Sequence, residues 1–450
     1  MTTLTELAAS LARGGVTSHE LVEQCLERVL DPAGEGKRAF VAINAEKVRT
    51  AADLADRARK YGLIPSPYAG IPISIKDLFD VRGEVTRAGS KILDGRSPAE
   101  HDATAVARLR AAGFILLGRT NMPEFAYSGL GINPHYGTPL NPYDRKNGRV
   151  PGGSTSGGAV SVADGMAPAA LGSDTGGSCR IPAAVCGTVG FKPTAFRIPL
   201  EGTIPLAFSL DSIGCLANSV RCCVVLDAVL SGVSEEPLSP PSVSGLRLAV
   251  PTHYVMDGLD AEVASAFTRA TDMLSRQGAT LSQIDTRALT QLPTINAKGG
   301  LMAAEAFAWH RPFLERQGEQ YDPWIKSRLD MGRAQTAADY LDTLKARTDL
   351  IRCMAKRTAG FDAVIMPTTA IVAPRVADMA ERDASTRSNL ALARNTTVVN
   401  FLDRCAVSIP CHRPGEAPVG LMLAGEHGGD RRLLAVAEAV ELALTKLRMQ

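Results

Sequence analysis

Val150-Pro-Gly-Gly-Ser-Thr-Ser-Gly-Gly-Ala-Val-Ser-Val-Ala-Asp-Gly-Met-Ala-Pro-Ala-Ala-Leu-Gly-Ser-Asp-Thr-Gly-Gly-Ser-Cys-Arg-Ile-Pro182 carries one element twice, as Gly152-Gly153-Ser154 and Gly176-Gly177-Ser178. The residues between are small and suit a buried helix followed by a strand. Glycine reaches backbone conformations closed to other residues and leaves amide N–H groups exposed. A serine after such glycines has its hydroxyl beside free donors. Attack on a carbonyl needs that pair: a hydroxyl, and donors for the oxyanion.

A hydroxyl at neutral pH also needs a base. Histidine is the usual one, but none lies between His135 and His253. Gly70-Ile-Pro-Ile-Ser-Ile-Lys76-Asp77 reads as a short apolar strand ending in a lysine. Burial disfavours the ammonium form, and a fall of about 3 pH units, at roughly 1.4 kcal/mol each, leaves a usable neutral fraction. Taken singly, such a lysine reads as ion-paired or snorkelling, and a single Gly-Gly-Ser as a turn. Other motifs fail. A P-loop needs Gly-Lys-Ser/Thr, and Gly152 to Gly158 has no lysine. A Gly-x-Ser-x-Gly elbow is absent at both serines.

Lys76, then Pro-Gly-Gly-Ser154, then Gly-Ser-Asp-Thr-Gly-Gly-Ser178 with Arg180-Ile-Pro after it, resemble the amidase signature family in order and spacing. The match is strong over about residues 65–215, and Met366-Pro-Thr368 and Pro418-Val-Gly-Leu421 resemble later strands of the family. The resemblance implies Ser178 as nucleophile, Ser154 as a bridging serine in a cis peptide after Gly153, and Lys76 as base. It implies an oxyanion hole from the N–H groups of Thr175, Gly176, Gly177 and Ser178. Thr155 and Ser156 are also hydroxyls; spacing and the preceding glycines select Ser154. Asp174 and Arg180 flank the nucleophile and read as a supporting ion pair. In the family, the long segment 121–144 lines the substrate pocket. Phe125, Tyr127, Leu130, Ile132, His135 and Tyr136 are candidates there, and Arg328 or Arg394 for a substrate carboxylate. No metal and no organic cofactor is expected.

The implied activity is cleavage of a carboxylic amide C–N bond through a Ser178 acyl-enzyme, releasing ammonia or an amine from a small molecule. The main alternative is the A subunit of glutamyl-tRNA(Gln) or aspartyl-tRNA(Asn) amidotransferase, a glutaminase with the same triad. Such subunits hold glutamine's amino group with an acid a few residues before Val-Asn, and in Ala393-Arg-Asn-Thr-Thr-Val-Val-Asn400 an alanine takes that place. Asn400-Phe-Leu-Asp403 instead resembles free-standing hydrolases such as allophanate hydrolase. A binding protein on the same fold requires loss of the triad, which is intact.

Composition agrees with a soluble enzyme. The net charge is +2, from 49 basic and 47 acidic residues, which gives no footprint for nucleic acid or an anionic membrane. Nine cysteines, an odd number without Cys-x-x-Cys, read as reduced thiols without ligand spacing. The first residues lack a basic start and a long apolar core, and no run approaches a membrane span. The expected compartment is the cytoplasm, and family habit adds a homodimer.

Strands alternate with helices along the chain, which argues α/β: one large domain over 1–450, a mixed β-sheet covered by helices on both faces. Expected strands are 71–75, 114–117, 246–250, 280–284, 363–366, 407–410 and 419–423. Expected helices are two within 3–30 (the second capped by Ser18), 44–60 with Leu54 on its apolar side, 103–112, 220–230, 261–277, 294–316, 335–358, 391–402 and 431–447. The Pro-rich stretch 236–244 reads as a loop within the domain.

Overall fold

A computed structural model describes residues 2–233 and 238–448. Its strands are β1 (Phe40–Ala42), β2 (Pro72–Lys76), β3 (Ile115–Thr120), β4 (Ala169–Ser173), β5 (Val189–Lys192), β6 (Ile213–Ala217), β7 (Arg247–Pro251), β8 (Thr280–Ile284), β9 (Ala363–Pro367), β10 (Ala406–Pro410) and β11 (Gly420–Ala424). They form one eleven-stranded sheet in the order β1-β3-β2-β4-β6-β5-β10-β11-β9-β7-β8. The β2–β3, β2–β4, β7–β8 and β7–β9 pairs are parallel and the others antiparallel, so the sheet is mixed.

Successive strand residues point to opposite faces, and here both faces are dry. Leu421 and Leu423 join one core layer while Met422 and Ala424 join another. Ile213 and Cys215 of β6 enter the first layer and Leu216 a third. That is why the strands read as unbroken apolar runs. Helices Leu4–Ala12, Val220–Ser231, Ala261–Arg276 and Asp430–Arg448 cover the first face. Ser18–Leu30, Ala45–Lys60, Ser156–Ala163, Ala337–Thr358 and Arg382–Phe401 supply the opposite layers.

The differences from expectation have local causes. Thr17, not Ser18, caps the second helix, in a reciprocal capping box with Glu20. Leu54 is 59% exposed, because Val48 and Ala52 define the buried stripe of its helix. The span 294–316 breaks at Gly299, whose φ of 95° suits glycine, and the helix resumes at Gly300–Gln317. Strands β1, β5 and β6 and helices Arg180–Cys186 and Pro323–Arg333 were not expected, and Arg382–Phe401 starts earlier than predicted. Glu236 and Pro237 of the Pro-rich stretch lie outside the described residues.

Candidate active site

The sheet places the two serine turns and the lysine together. Lys76 ends β2, which pairs with β4; β4 runs straight into Asp174 and the second Gly-Gly-Ser turn. The small residues of 156–163 follow from the same packing. The Ser156–Ala163 helix lies against β4, and a Cβ on Gly158 would meet Ala170 and Thr155.

Lys76 is fully buried, and its Nζ donates to Ser154 Oγ at 2.7 Å and to Ser173 Oγ at 2.8 Å. Burial lowers its pKa from 10.5 to about 8, against the opposing influence of Cys179, Asp174 and Asp211. The Gly153–Ser154 peptide is cis. The next residue, Thr155, donates its N–H to the Ser178 carbonyl at 3.2 Å, so the two serine turns touch. Ser178 retains 7% of its surface exposed. Among the described residues no hydrogen bond joins the Ser154 and Ser178 hydroxyls.

Asp174 builds the Ser178 turn. Its Oδ1 accepts from Gly177 N–H at 2.9 Å and its Oδ2 from Cys179 N–H at 3.1 Å. The buried Arg180 closes the ion pair at 2.8 Å. Burial pushes the Asp174 carboxyl up, but the charge and hydrogen bonds of Arg180 prevail and hold it well below the usual range. Gly177, at φ 127°, has no room for a side chain, because a Cβ would collide with Thr396.

The four expected oxyanion donors differ in their present partners. The Gly177 N–H is already engaged by Asp174, which leaves those of Thr175, Gly176 and Ser178 without a protein acceptor among the described residues. Thr175 is fixed through its own hydroxyl, which donates to Asp211 at 2.5 Å. Burial raises Asp211 to about 6, against hydrogen bonds from Thr175, Ala207 and Leu206.

The Arg382–Phe401 helix clamps the turn from 220 residues away. Thr396 and Thr397 hydroxyls donate to the Gly176 carbonyl at 2.7 and 3.2 Å. Asn400 Nδ2 donates to the Asp174 carbonyl at 3.1 Å and Oδ1 at 3.0 Å. Ser173, Thr396, Thr397 and Asn400 were missed in the sequence. Ser173 alone carried a local signal, since it alternates with Leu171 on β4 and precedes Asp174.

The pocket candidates divide. The Arg328 guanidinium donates to the Tyr127 carbonyl and lies 5.8 Å over its ring. The adjoining Ser128 carbonyl packs on Gly153, where a Cβ would approach it to 2.5 Å. Ser128, next to Tyr127, therefore borders the Ser154 turn, and Arg328 has no carboxylate partner among the described residues. Ile132 packs against the layer containing Leu130 and Ile181. Tyr136 is committed elsewhere, donating to Asp94 at 2.8 Å. Arg394 is held by Asn395 at 3.0 Å and lies 6.0 Å over Tyr254. Phe125 is core, packed edge-on to His310 at 4.3 Å, and His135 pairs with the buried Glu124 at 2.9 Å.

Among the described residues no group of three or more His, Cys, Asp or Glu is placed to hold a metal, and no helix is long and apolar enough to cross a membrane.

A family model described as Amidase matches residues 20–434. The 2-amino-5-chloromuconic acid deaminase of Comamonas testosteroni is 34% identical, over 97% of this chain and 95% of its own. The A subunit of glutamyl-tRNA(Gln) amidotransferase from Roseiflexus sp. (strain RS-1) is also 34% identical, over 98% and 96%. A crystal structure of an amidase superposes with a TM-score of 0.89 at 33% identity, over 98% of this chain and 99% of that one.

Proposed function

The chain belongs to the amidase signature family, and we propose that it hydrolyses a carboxylic amide through an acyl-enzyme on Ser178. The observation that carries this reading is the fully buried Lys76, poised near pKa 8, in contact with the cis-linked Ser154 at 2.7 Å. Neutral Lys76 takes the Ser154 proton while Ser154 takes that of Ser178. Ser178 Oγ bonds to the amide carbon, and the carbonyl oxygen gains the negative charge. The N–H groups of Gly176 and Ser178, with Thr175 beside them, receive that charge. Lys76 then returns the proton through Ser154 to the nitrogen, the C–N bond breaks, and ammonia or an amine leaves. Water repeats the attack on the ester, releasing a carboxylic acid and free Ser178.

The acyl group we assign is one that bears a carboxylate, met by Arg328. The guanidinium beside Tyr127, with no ion-pair partner among the described residues, supports this, as does a relative whose name specifies a carboxylic acid. The second reading, the amidotransferase subunit, rests on similarity to that protein. Ala393 counts against it. It lies beside Gly129, 3.9 Å from where a Cβ there would be, and offers no acid for an amino group.

The test is ammonia release by the purified chain from glutamine, malonamate, allophanate, and neutral aryl and aliphatic amides. Turnover of an acidic amide other than glutamine, abolished in Ser178→Ala, is expected. Release from glutamine alone, or only with a partner and tRNA, would transfer the chain to the amidotransferase class. Full activity in Ser178→Ala would refute the mechanism.

A further inference from the structure

The Arg382–Phe401 helix grips the second Gly-Gly-Ser turn through Thr396, Thr397 and Asn400. The same helix also reaches the first. Asn389 Oδ1 accepts from the Gly129 N–H at 2.8 Å and from Ser128 Oγ at 3.3 Å. The Gly129 carbonyl in turn accepts from the Gly153 N–H at 2.8 Å, one residue before Ser154. These partners fix which way the Asn389 amide points. A backbone N–H can only donate, so the atom that faces it is the side-chain oxygen. Asn389, Ala393, Thr396, Thr397 and Asn400 recur at helical spacing and share one stripe of the helix.

Between Gly129 and Ser154 the contact is backbone against backbone. A Cβ on Gly153 would lie 2.5 Å from the Ser128 carbonyl oxygen, and one on Gly131 would collide with the Gly152 carbonyl. No side chain cushions the two segments, so a shift of Gly129 passes directly to Gly153. From Asn389 to Thr396 is seven residues, about 10 Å along a stiff helix. One rigid element therefore holds a hydrogen bond into each serine turn.

We propose that Asn389 is a positioning residue for the proton relay: through Gly129 it sets the backbone that carries Ser154, and it makes this one helix the gauge that keeps Ser154 in register with Ser178. The inference rests on the acyl-enzyme reading above and gives Asn389 no contact with substrate.

The test reads Ser178 without any amide. Inactivation of the full chain by an aryl fluorophosphonate gives a maximal rate and a half-saturating concentration. Asn389→Leu keeps the bulk of the side chain and removes the acceptor. Its maximal rate should fall about ten- to a hundredfold, the cost of a reacting group displaced by up to about 1 Å, with half-saturation within about threefold of wild type. Asn389→Asp still offers an oxygen to the Gly129 N–H and should stay within about threefold of the wild-type rate. A wild-type rate in Asn389→Leu, a loss confined to half-saturation, or an Asn389→Asp protein more than about tenfold slow would overturn the proposal. The Asp criterion stands even where Asn389→Leu fails to fold. Failure of the acyl-enzyme reading has a different signature: a wild-type chain left unlabelled, or labelling that persists in Ser178→Ala, would withdraw that reading and this inference with it.

Discussion

The buried lysine makes the pH dependence of this enzyme calculable. With Lys76 at about 8, about a tenth of it is neutral at pH 7; at its ordinary 10.5 the fraction would be about 0.03%, roughly 300-fold less. The kcat/KM for any turned-over amide should therefore rise tenfold per pH unit below about pH 8 and level off above it. The same shift acts on stability, with a definite sign. The folded state sheds the lysine proton first, so the penalty of burying an ammonium is fully present below about pH 8 and vanishes above about 10.5. That interval, at about 1.4 kcal/mol per pH unit, amounts to about 3 kcal/mol. Lys76→Met should abolish turnover and yet stabilise the fold at pH 7 by up to that amount. This is about 3 °C in Tm for a chain of this length, and the difference should shrink toward pH 10. The assays are ammonia release from pH 5.5 to 9.5 and thermal unfolding at pH 7 and 10. A flat rate profile between pH 6 and 9, or a Lys76→Met protein destabilised at pH 7, would refute the reasoning.

Arg180→Met leaves Asp174 buried and uncompensated, and chemical denaturation should show a loss of about 3–5 kcal/mol. Gly177→Ala forces a side chain into Thr396 at a φ of 127°. It should cut kcat by about a hundredfold or more through displacement of the turn, and pairing it with Thr396→Ser should not restore kcat, because the backbone strain remains. Arg328→Gln should raise KM for a carboxylate-bearing amide by about ten- to a hundredfold with little change for a neutral one, the loss of about 1.5–3 kcal/mol that a charged hydrogen bond is worth. Equal effects on both substrates would remove Arg328 from recognition.

The parts of this fold legible in the sequence are those whose pattern is local. Ala363 to Met366 is apolar without interruption, and Ile71 to Ile75 is broken only by the buried Ser74, because both faces of the sheet are covered. Strands β5 and β6 were silent because Gly190 and Gly214 break their apolar pattern. Those glycines are there for contact: a Cβ on Gly214 would strike the Phe191 carbonyl, and one on Gly190 the Cys179 carbonyl. Pro323–Arg333 begins with a proline after Asp322, a start signal in a stretch too charged to show an apolar stripe. The site followed the same rule. Lys76, Ser154 and Ser178 announce themselves through neighbouring glycines and apolar residues. Thr396, Thr397 and Asn400 act across more than 200 residues, and nothing adjacent to them marks which backbone they will hold. Nothing adjacent to Tyr136 marks the Asp94 carboxylate that its hydroxyl meets.

The clamp also has a schedule. Strands β4, β5 and β6 and the nucleophile turn emerge from the ribosome first, but β5 finds its outer neighbour only in β10, at Ala406 to Ser408, and the turn receives Thr396 and Asn400 at about the same point. At about 5–20 residues per second, the 222 residues from Ser178 to Asn400 take roughly ten to forty seconds to synthesise. For that interval the nascent chain holds Ser178, Lys76 and an open sheet edge but not the helix whose Thr396 and Asn400 fasten the turn.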